Sequence, residues 1–302
     1  MIKTCFKMLP IFAALFIGGL TSTAVAESPK QIRFGLLPAE DPGSMIQQFK
    51  GIADHVQKQF GLPVTVRVTE SYSALIEAMR AGHLEVVYVG GSQYVKMLDL
   101  GMKATPVVLS KDDTGRVYYK ACVITHSDSN IKSFADLKGK TFAFVSPTST
   151  SGGIGPSYLL IKNGIDPNKD FKSTIYAGKH DAVLLAVKNK KVEAGGVGDV
   201  YFPRWKERGV MPYERYDEPK SELIKSEIHV VGCVKVPNTP MVTLRDFGDD
   251  FVKKLQNAFL TLPTAAINSY RVWPSTGFVA AKHEDFIDLV EMEKLAAKTR
   301  KK

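Results

Sequence analysis

The chain has 302 residues, of which 44% are hydrophobic and 24% are charged, and its formal net charge is +9. This length suits two domains of ordinary size, and the sequence contains no low-complexity tract and no repeat at a fixed period. Basic residues are scattered along the chain. Only the terminal KTRKK forms a run, which is typical of a solvated tail and not of a polyanion-binding surface.

The first 26 residues have the three parts of a secretory signal peptide. Lys3 and Lys7 make the start basic, residues 8–20 form an apolar core too short to span a bilayer, and Ala-Val-Ala at 24–26 is a small-residue cleavage site. Cleavage near Ala26 leaves about 276 residues and removes two lysines, which lowers the formal charge from +9 to +7. We therefore expect a soluble periplasmic protein whose charge favours an anionic ligand, and we expect no nucleic acid partner.

Apolar spacing after the signal peptide predicts alternating strands and helices. Helical spacing runs from Ile46 to Phe60 and stops at Gly61. The predicted elements are a strand at 31–38, a helix at 43–61, a strand at 63–69, a helix at 71–82 and a strand at 84–90. This order predicts a mostly parallel sheet with helices on both faces.

A second unit of the same kind follows. Its predicted elements are a strand at 118–125, a short helix and a strand within 133–145, a loop and helix at 146–164, a strand at 173–178 and a helix at 180–191. A further strand at 227–236 returns, and the rest of the chain is predicted to be helical. We predict an α/β protein of two lobes, the first formed by residues 27–127 plus 227–302 and the second by residues 128–226.

The segment SPTSTSGGIG at 146–155 joins a predicted strand to a predicted helix. Helix N-termini carry free N–H groups and a partial positive charge, glycines let an anion approach the backbone, and hydroxyls add further donors. Ser149, Thr150 and Ser151 therefore suit a small tetrahedral oxyanion. A nucleotide-binding phosphate loop would end in Gly-Lys-Ser or Gly-Lys-Thr, which is absent here. From composition alone, an ordinary helix N-cap with extra hydroxyls is an equal alternative.

Three longer segments resemble a known family. They are SYSALIEAMRAGHLEVVYVGGSQYV at 71–95, DLKGKTFAFVSPTSTSGGIGPSYLL at 136–160 and AGKHDAVLLAVKNKKVEAG at 177–195. In order and spacing they resemble the periplasmic substrate-binding proteins of phosphonate and phosphite ABC transporters, the PhnD-like group of the type II periplasmic binding protein fold. The resemblance covers nearly all of the mature chain, and it implies two lobes that close on a ligand held in the cleft between them.

The resemblance also implies a set of ligand-binding residues. By position in this sequence they are Tyr72, Tyr119, Ser149, Thr150, Ser151, His180, Asp199 and Glu227. Each has a structural alternative: ring packing for the tyrosines, a structural hydrogen bond for the histidine, and a cap or an exposed charge for the two carboxylates. The chain departs from the family after the third strand, where VGGSQYV stands in place of the usual Gly-Pro or Gly-Asn step.

The function that the resemblance implies is the capture of a small phosphonate-like or phosphite-like oxyanion for an ABC transporter permease. We expect a monomer with no metal and no cofactor. The alternative is a sensor of arsenate, arsenite or a phosphorus oxyanion that partners the periplasmic domain of a membrane histidine kinase. Arsenite prefers thiolates, which makes Cys122 and Cys233 relevant, although a disulfide and two free structural thiols are the other interpretations of this pair.

The sequence does not predict an enzyme. No Gly-x-Ser-x-Gly nucleophile motif is present. His180 and Asp181 are adjacent, so on a helix their side chains point about 100° apart and form no catalytic relay.

Overall fold

The structure, a computed structural model, describes residues 28–202, 205, 215–217, 222–224, 226–270 and 275–300. The predicted signal peptide lies outside these residues. Within the described part of the chain, no helix is both long enough and apolar enough to cross a membrane.

The strands in chain order are β1 (Ile32–Leu36), β2 (Val64–Val68), β3 (Val86–Tyr88), β4 (Ala104–Lys111), β5 (Tyr118–His126), β6 (Thr141–Phe144), β7 (Ser173–Tyr176), β8 (Ala194–Gly198), β9 (Arg215–Asp217), β10 (Glu222–Ile224), β11 (Ile228–Pro237), β12 (Pro240–Leu244) and β13 (Gly277–Ala280). The helices are α1 (Pro42–Phe60), α2 (Tyr72–Arg80), α3 (Gly91–Asp99), α4 (Gly155–Lys162), α5 (His180–Lys188), α6 (Asp249–Leu260), α7 (Thr264–Ser269) and α8 (Ile287–Arg300). A π-helical turn, Thr150–Ile154, leads directly into α4.

Two main sheets confirm the predicted two-lobed α/β fold. The first sheet has the strand order β13-β4-β12-β3-β1-β2, and the second has the order β11-β5-β8-β6-β7. Strands β9 and β10 form a separate antiparallel pair. The first lobe is the first sheet with its helices α1 to α3 and α6 to α8, and the second lobe is the second sheet with α4 and α5.

Both sheets are mixed. The three strands from which a parallel sheet was predicted, β1 to β3, do pair in parallel, but the other strands of the first sheet pair antiparallel, and so do β5 and β11 in the second, so the sheets are not mostly parallel. In the first sheet β1 lies parallel to β2 and β3, whereas β12 is antiparallel to β3 and β4, and β13 is antiparallel to β4. The C-terminal region was predicted to be helical throughout, but β12 and β13 are short strands within it. Strands of four or five residues carry too little periodicity to be distinguished from helix in the sequence.

The chain crosses between the two sheets twice. It leaves the first sheet after β4 and enters the second with β5, and it returns between β11 and β12. Since β5 and β11 pair with each other in the second sheet, both strands belong to the second lobe. The boundaries predicted near residues 127 and 227 lie at the ends of these strands that are remote from the crossings. We propose instead that the lobes divide at residues 112–117 and 238–239.

Asn238 joins the two crossing segments. Its backbone N–H donates to the carbonyl oxygen of Val117 at 2.8 Å, and its side-chain amide donates to the carbonyl oxygen of Ser110 at 2.7 Å. Asn238 is 2% exposed, so these hydrogen bonds are shielded from water. The outgoing and returning segments are therefore held against each other between the lobes.

Cys122 and Cys233 form a disulfide between β5 and β11. The two residues lie directly opposite each other on neighbouring antiparallel strands, with their Cα atoms 4.1 Å apart. Of the three interpretations of this pair, the structure supports the disulfide, which leaves neither thiolate available for arsenite.

Reduction of this disulfide is expected to lower the free energy of unfolding by about 2–4 kcal/mol, because the bridge restrains a long loop in the unfolded chain. The sequence separation that it spans is 111 residues. Urea unfolding of the oxidised protein, the reduced protein and the Cys122→Ala/Cys233→Ala variant measures the effect. The oxidised protein without residues 1–26, which include Cys5, should show no free thiol after denaturation. Identical unfolding midpoints for oxidised and reduced protein would contradict the prediction.

Candidate functional site

Among the described helical segments, four N-termini meet in the cleft between the lobes. The helix α2 starts at Tyr72 after β2, α3 at Gly91 after β3, the π-helical turn at Thr150 after β6, and α5 at His180 after β7. Each of these strands lies in a parallel part of its sheet, so the four helical starts lie at the carboxyl edges of the two sheets. Their free N–H groups and dipoles favour a negative charge in this cleft.

Two hydrogen bonds from these N-termini join the lobes. The N–H of Ser92 in α3 donates to Thr150 Oγ1 at 3.0 Å, and the N–H of His180 in α5 donates to the carbonyl oxygen of Ala39 at 3.1 Å. The N-cap residues of α3 and α5 make no side-chain hydrogen bond to their own helices. Each lobe therefore satisfies a backbone donor at a helix N-terminus of the other lobe.

The loop Ser149–Ser151 is buried between the lobes, and each of its residues is at most 2% exposed. Ser149 caps the π-helical turn: its Oγ accepts the N–H of Gly152 at 3.1 Å, and its carbonyl oxygen accepts the N–H five residues further on at 2.9 Å. The N-cap that the sequence offered as an alternative is thus present at Ser149. Gly153 lies so close to the carbonyl oxygen of Ser146 that a Cβ has no room, which keeps this turn tight.

His180 is a neutral hydrogen-bond donor in this site. It is 2% exposed, and burial lowers its pKa from 6.5 to about 3. Its Nδ1 accepts the backbone N–H of Gly198 at 3.3 Å, so the proton of the neutral ring is on Nε2. The ring stacks on Tyr201, with centroids 4.1 Å apart and an angle of 25° between the planes.

Tyr119 and Tyr72 lie on either side of the loop. The Tyr119 hydroxyl donates to Ser151 Oγ at 3.2 Å; burial raises its pKa to about 12, and the contact with Ser151 opposes that rise. Burial likewise raises the pKa of Tyr72, with the Ser149 hydroxyl opposing the shift. The Tyr72 hydroxyl makes no hydrogen bond of normal geometry with any described residue and only approaches Ser149. Both phenols are protonated donors at neutral pH.

Gly198 lies where the histidine, the loop and two tyrosines meet. A Cβ at this position would be 2.8 Å from Ser151 Oγ and 3.2 Å from the ring carbons of both Tyr119 and Tyr201. The φ of Gly198 is −88° and its ψ is 137°, which any residue adopts, so only the close approach requires glycine here.

Asp199 lies at the end of β8, beside this cluster. Its Oδ1 accepts the N–H of Lys120 at 2.9 Å. Burial raises the pKa of Asp199, while that hydrogen bond and the charges of Lys120 and Arg116 lower it. Its negative charge in turn raises the pKa of Tyr119. The carboxylate therefore has a structural partner and also lies within electrostatic reach of the cluster.

The structure does not bring Glu227 together with the other predicted site residues. Its side chain is 42% exposed, and its Oε2 lies 3.4 Å from Lys188 Nζ. Lys188 is the last residue of α5, the helix that starts in the cleft at His180. Glu227 is thus at the opposite end of this helix, because β11 enters the second sheet at the edge remote from the crossings.

Other buried residues at this edge of the first sheet were missed by sequence analysis. Gln93, which is 0% exposed, accepts the N–H of Gly90 with its Oε1 at 3.0 Å and donates from Nε2 to the carbonyl oxygen of Tyr72 at 2.8 Å. It therefore holds the start of α3 against the start of α2. Glu40 is 1% exposed and follows Ala39, the acceptor for His180. The sequence signal that could have found Gln93 and Glu40 was their position shortly after β3 and β1, because ligands bind at the carboxyl ends of parallel strands.

Thr239, in the returning crossing segment, lies against Tyr88 of the first lobe and Tyr119 of the second, and its contact with each phenol opposes the rise in that phenol's pKa. Tyr201 was missed as well, since it lies on a short helical turn that its sequence does not mark.

Among the described residues, no group of three or more histidine, cysteine, aspartate or glutamate side chains is placed to hold a metal ion.

A family described as the periplasmic substrate-binding proteins of phosphonate ABC transporters matches residues 34–286. The chain belongs to this family. Such binding proteins carry out no chemistry, in agreement with the sequence prediction that the chain is not an enzyme.

Curated relatives of this phosphonate-binding family match at low identity. The phosphate-import protein PhnD of Mycolicibacterium smegmatis is 31% identical over 182 residues, which cover 58% of this chain and 57% of that protein. The phosphonates-binding periplasmic protein of Escherichia coli is 30% identical over 191 residues, which cover 60% and 55% of the two chains. The chain thus spans less than two thirds of the length of these relatives.

Solved structures of the phosphonate-binding family share the fold. A binding-protein component of an ABC phosphonate transporter from Pseudomonas aeruginosa has a TM-score of 0.74 and 22% identity, with coverage of 89% of this chain and 87% of that one. PhnD1 from Prochlorococcus marinus in complex with methylphosphonate has a TM-score of 0.72 and 21% identity, with coverage of 90% and 100%. These matches place the chain in the type II periplasmic binding protein fold.

The depressed pKa of His180 predicts a specific pH dependence of stability. Between the folded pKa of about 3 and the ordinary 6.5, the unfolded chain binds a proton here and the folded chain does not. The contribution of buried, neutral His180 to the free energy of unfolding is therefore fully present above pH 6.5. It is lost as the pH falls towards 3, by at most about 1.4 kcal/mol per pH unit. His180→Asn retains an acceptor for Gly198 but cannot titrate. From about pH 7.5 down to pH 5, the parent should therefore lose more of its free energy of unfolding than the variant does. A difference between the two proteins that stays constant over this pH range would contradict the prediction.

Gly198→Ala is expected to disrupt the site without straining the backbone. The added methyl would press on Ser151, Tyr119 and Tyr201, and such overpacking costs about 1–3 kcal/mol. Melting temperature and calorimetric affinity for an oxyanion should both fall, the affinity by about tenfold or more. Gly43→Ala is the matched control, since the atom nearest to its Cβ is 3.5 Å away. The steric account fails if the two variants behave alike.

Proposed function

We propose that this protein is a periplasmic binding protein that captures a small tetrahedral oxyanion, of the phosphonate or phosphite kind, and delivers it to an ABC transporter permease. The observation that carries the proposal is the buried hydroxyl loop Ser149–Ser151, placed where helix N-termini from both lobes meet. Two relatives are named for phosphate and for phosphonates, and a structural relative binds methylphosphonate; all three are tetrahedral oxyanions.

The proposed ligand contacts are donors without formal charge. They are Tyr72, Tyr119, Ser149, Thr150, Ser151 and neutral His180. No lysine or arginine is buried in the described part of the chain, so the negative charge of the ligand would be stabilised by hydrogen bonds and helix dipoles. This arrangement resembles a solvation shell built from protein groups, which suits an anion small enough to be enclosed.

The negative charge of Asp199 affects which oxyanion the proposed site prefers. A carboxylate repels an anion unless the ligand presents a hydrogen donor, such as an ammonium group or an acidic P–OH. Asp199 lies close enough to raise the pKa of Tyr119, so its charge reaches the proposed ligand position. We therefore favour a small ligand with such a donor and at most a short substituent, because Gly198 has no free space beside it. Glu227 has no part in this site.

A catalytic role for the same residues is not supported. The Nδ1 of His180 accepts from the backbone of Gly198, while Asp181 accepts the Trp205 indole N–H at 3.2 Å. The two adjacent side chains thus have separate partners, and in the part of the chain that the structure describes no carboxylate is bonded to His180 Nδ1 to orient the ring as a base.

The sensor alternative is not favoured. The family that matches is one of transporter binding proteins, and the disulfide occupies the two sulfur atoms that arsenite would need. We retain export by residues 1–26, periplasmic location and a monomeric state as predictions. Light scattering and the N-terminal sequence of the secreted protein test them.

Thr150→Ala is expected to weaken oxyanion binding by about tenfold or more, because hydrogen bonds to a charged group are worth about 1.5–3 kcal/mol. Calorimetry with phosphate, phosphite, methylphosphonate and 2-aminoethylphosphonate measures the loss, and thermal shift gives a rapid check, since ligand at 100 times Kd stabilises by about 2.7 kcal/mol.

Glu227→Gln is the control for this experiment. It removes one exposed charge far from the cleft and should leave every affinity unchanged. If Thr150→Ala and His180→Ala both bound these oxyanions like the parent, the site assignment would be wrong.

A further inference from the structure

The start of α3 contains a buried hydroxyl that the proposed site does not use. Ser92 is 0% exposed, and its Oγ has no hydrogen-bond partner among the described residues. Its backbone N–H is the group that donates to Thr150 Oγ1 across the cleft at 3.0 Å. Buried hydroxyls nearly always have a partner, so an unpaired one beside a proposed anion site has a specific meaning.

The direction of Ser92 follows from the rest of α3. Residues Val95, Lys96 and Asp99 of α3 line a cavity of about 210 Å³ together with Pro147 and Thr148, which immediately precede the anion-binding loop, and with four residues of α8: Val290, Glu293, Lys294 and Ala297. Positions three, four and seven residues apart share one side of a helix, so Ser92 lies on this same side, one turn nearer to the helix N-terminus. Because its own backbone N–H reaches Thr150 Oγ1, the Ser92 hydroxyl lies close to the second-lobe loop.

The other side chains of this first turn face elsewhere. Gly91 is turned towards α8, since a Cβ there would touch Leu289 and Phe286. Gln93 uses both ends of its amide, on Gly90 and on the backbone of Tyr72. Ser92 is thus the side chain in the first turn of α3 that is directed at the loop and has no bond of its own.

We propose that the Ser92 hydroxyl donates a hydrogen bond to an oxygen of the bound oxyanion, with the start of α3 as a first-lobe subsite opposite Thr150. This inference rests on the proposed function and adds to it a specificity-determining contact. The ligand class is a tetrahedral anion that presents an oxygen towards the first lobe. An oxygen held by both Ser92 and the loop joins the two lobes, so binding would stabilise their contact.

The glycines around Ser92 fit this role. Gly90 has Thr150 Oγ1 next to the position that its Cβ would occupy, 2.6 Å away. Backbone of the first lobe therefore approaches the second-lobe loop closely, as an enclosed small anion requires.

The test is calorimetric titration of the parent, Ser92→Ala and Ser92→Gly with phosphate, phosphite and methylphosphonate. Both variants should bind the preferred anion about tenfold or more weakly than the parent. The melting temperature of unliganded Ser92→Ala should equal or exceed that of the parent, because the substitution removes an unpaired buried hydroxyl. A merely structural serine would give the opposite pattern, with lower stability and unchanged affinity.

Ser269→Ala is the matched control. Its hydroxyl already donates to the carbonyl oxygen of Ala266 at 2.8 Å and lies on α7, away from the cleft. It should bind like the parent. If the parent binds an anion and Ser92→Ala binds it equally well, the Ser92 proposal is overturned while the proposed function stands. If the parent binds none of the three anions, both are overturned.

Discussion

A buried helix N-terminus needs acceptors for its free N–H groups, and in this protein the lobes supply them to each other. The N–H of Ser92 on the first lobe reaches Thr150 on the second, and the N–H of His180 on the second reaches Ala39 on the first. Because the N-cap residue of neither helix accepts from its own helix with a side chain, separation of the lobes would leave the N–H groups of Ser92 and His180 to water or to a ligand. Contact between the lobes and anion binding thus draw on the same groups.

The frame around the cleft limits how the lobes can move. Two segments connect them, and Asn238 bonds one to the other. The Cys122–Cys233 disulfide fastens β5 to β11, the strands that continue from those segments into the second lobe. At the other side, α8 packs against α3 of the first lobe and α4 of the second. Because the two connecting segments are bonded to each other, we expect them to move together, as a hinge about residues 112–117 and 238–239.

Burial lowers the pKa of His180 but raises the pKa of Tyr119 and of Asp199. It keeps His180 neutral and Tyr119 protonated, so both are donors over the physiological pH range. It also raises the pKa of Asp199, but the N–H of Lys120 and neighbouring positive charges oppose that shift. The proposed site consequently combines uncharged donors with the carboxylate of Asp199 at its margin. We expect such a combination to discriminate between oxyanions by their protons as well as by their shape.

The sequence by itself determined the alternation of strands and helices and the hydroxyl-rich loop before α4, because each depends on local periodicity or on a motif read in order. The choice of Tyr72, Tyr119 and His180 as site residues came from the resemblance to a family. Only the tertiary structure decided that Glu227 lies at the far end of α5 and that β11 joins the second sheet, since strand pairing is a long-range choice. The same holds for Ser92, Gln93 and Tyr201. Their residue types are unremarkable in the sequence, and their roles arise from which helix starts the two lobes bring together.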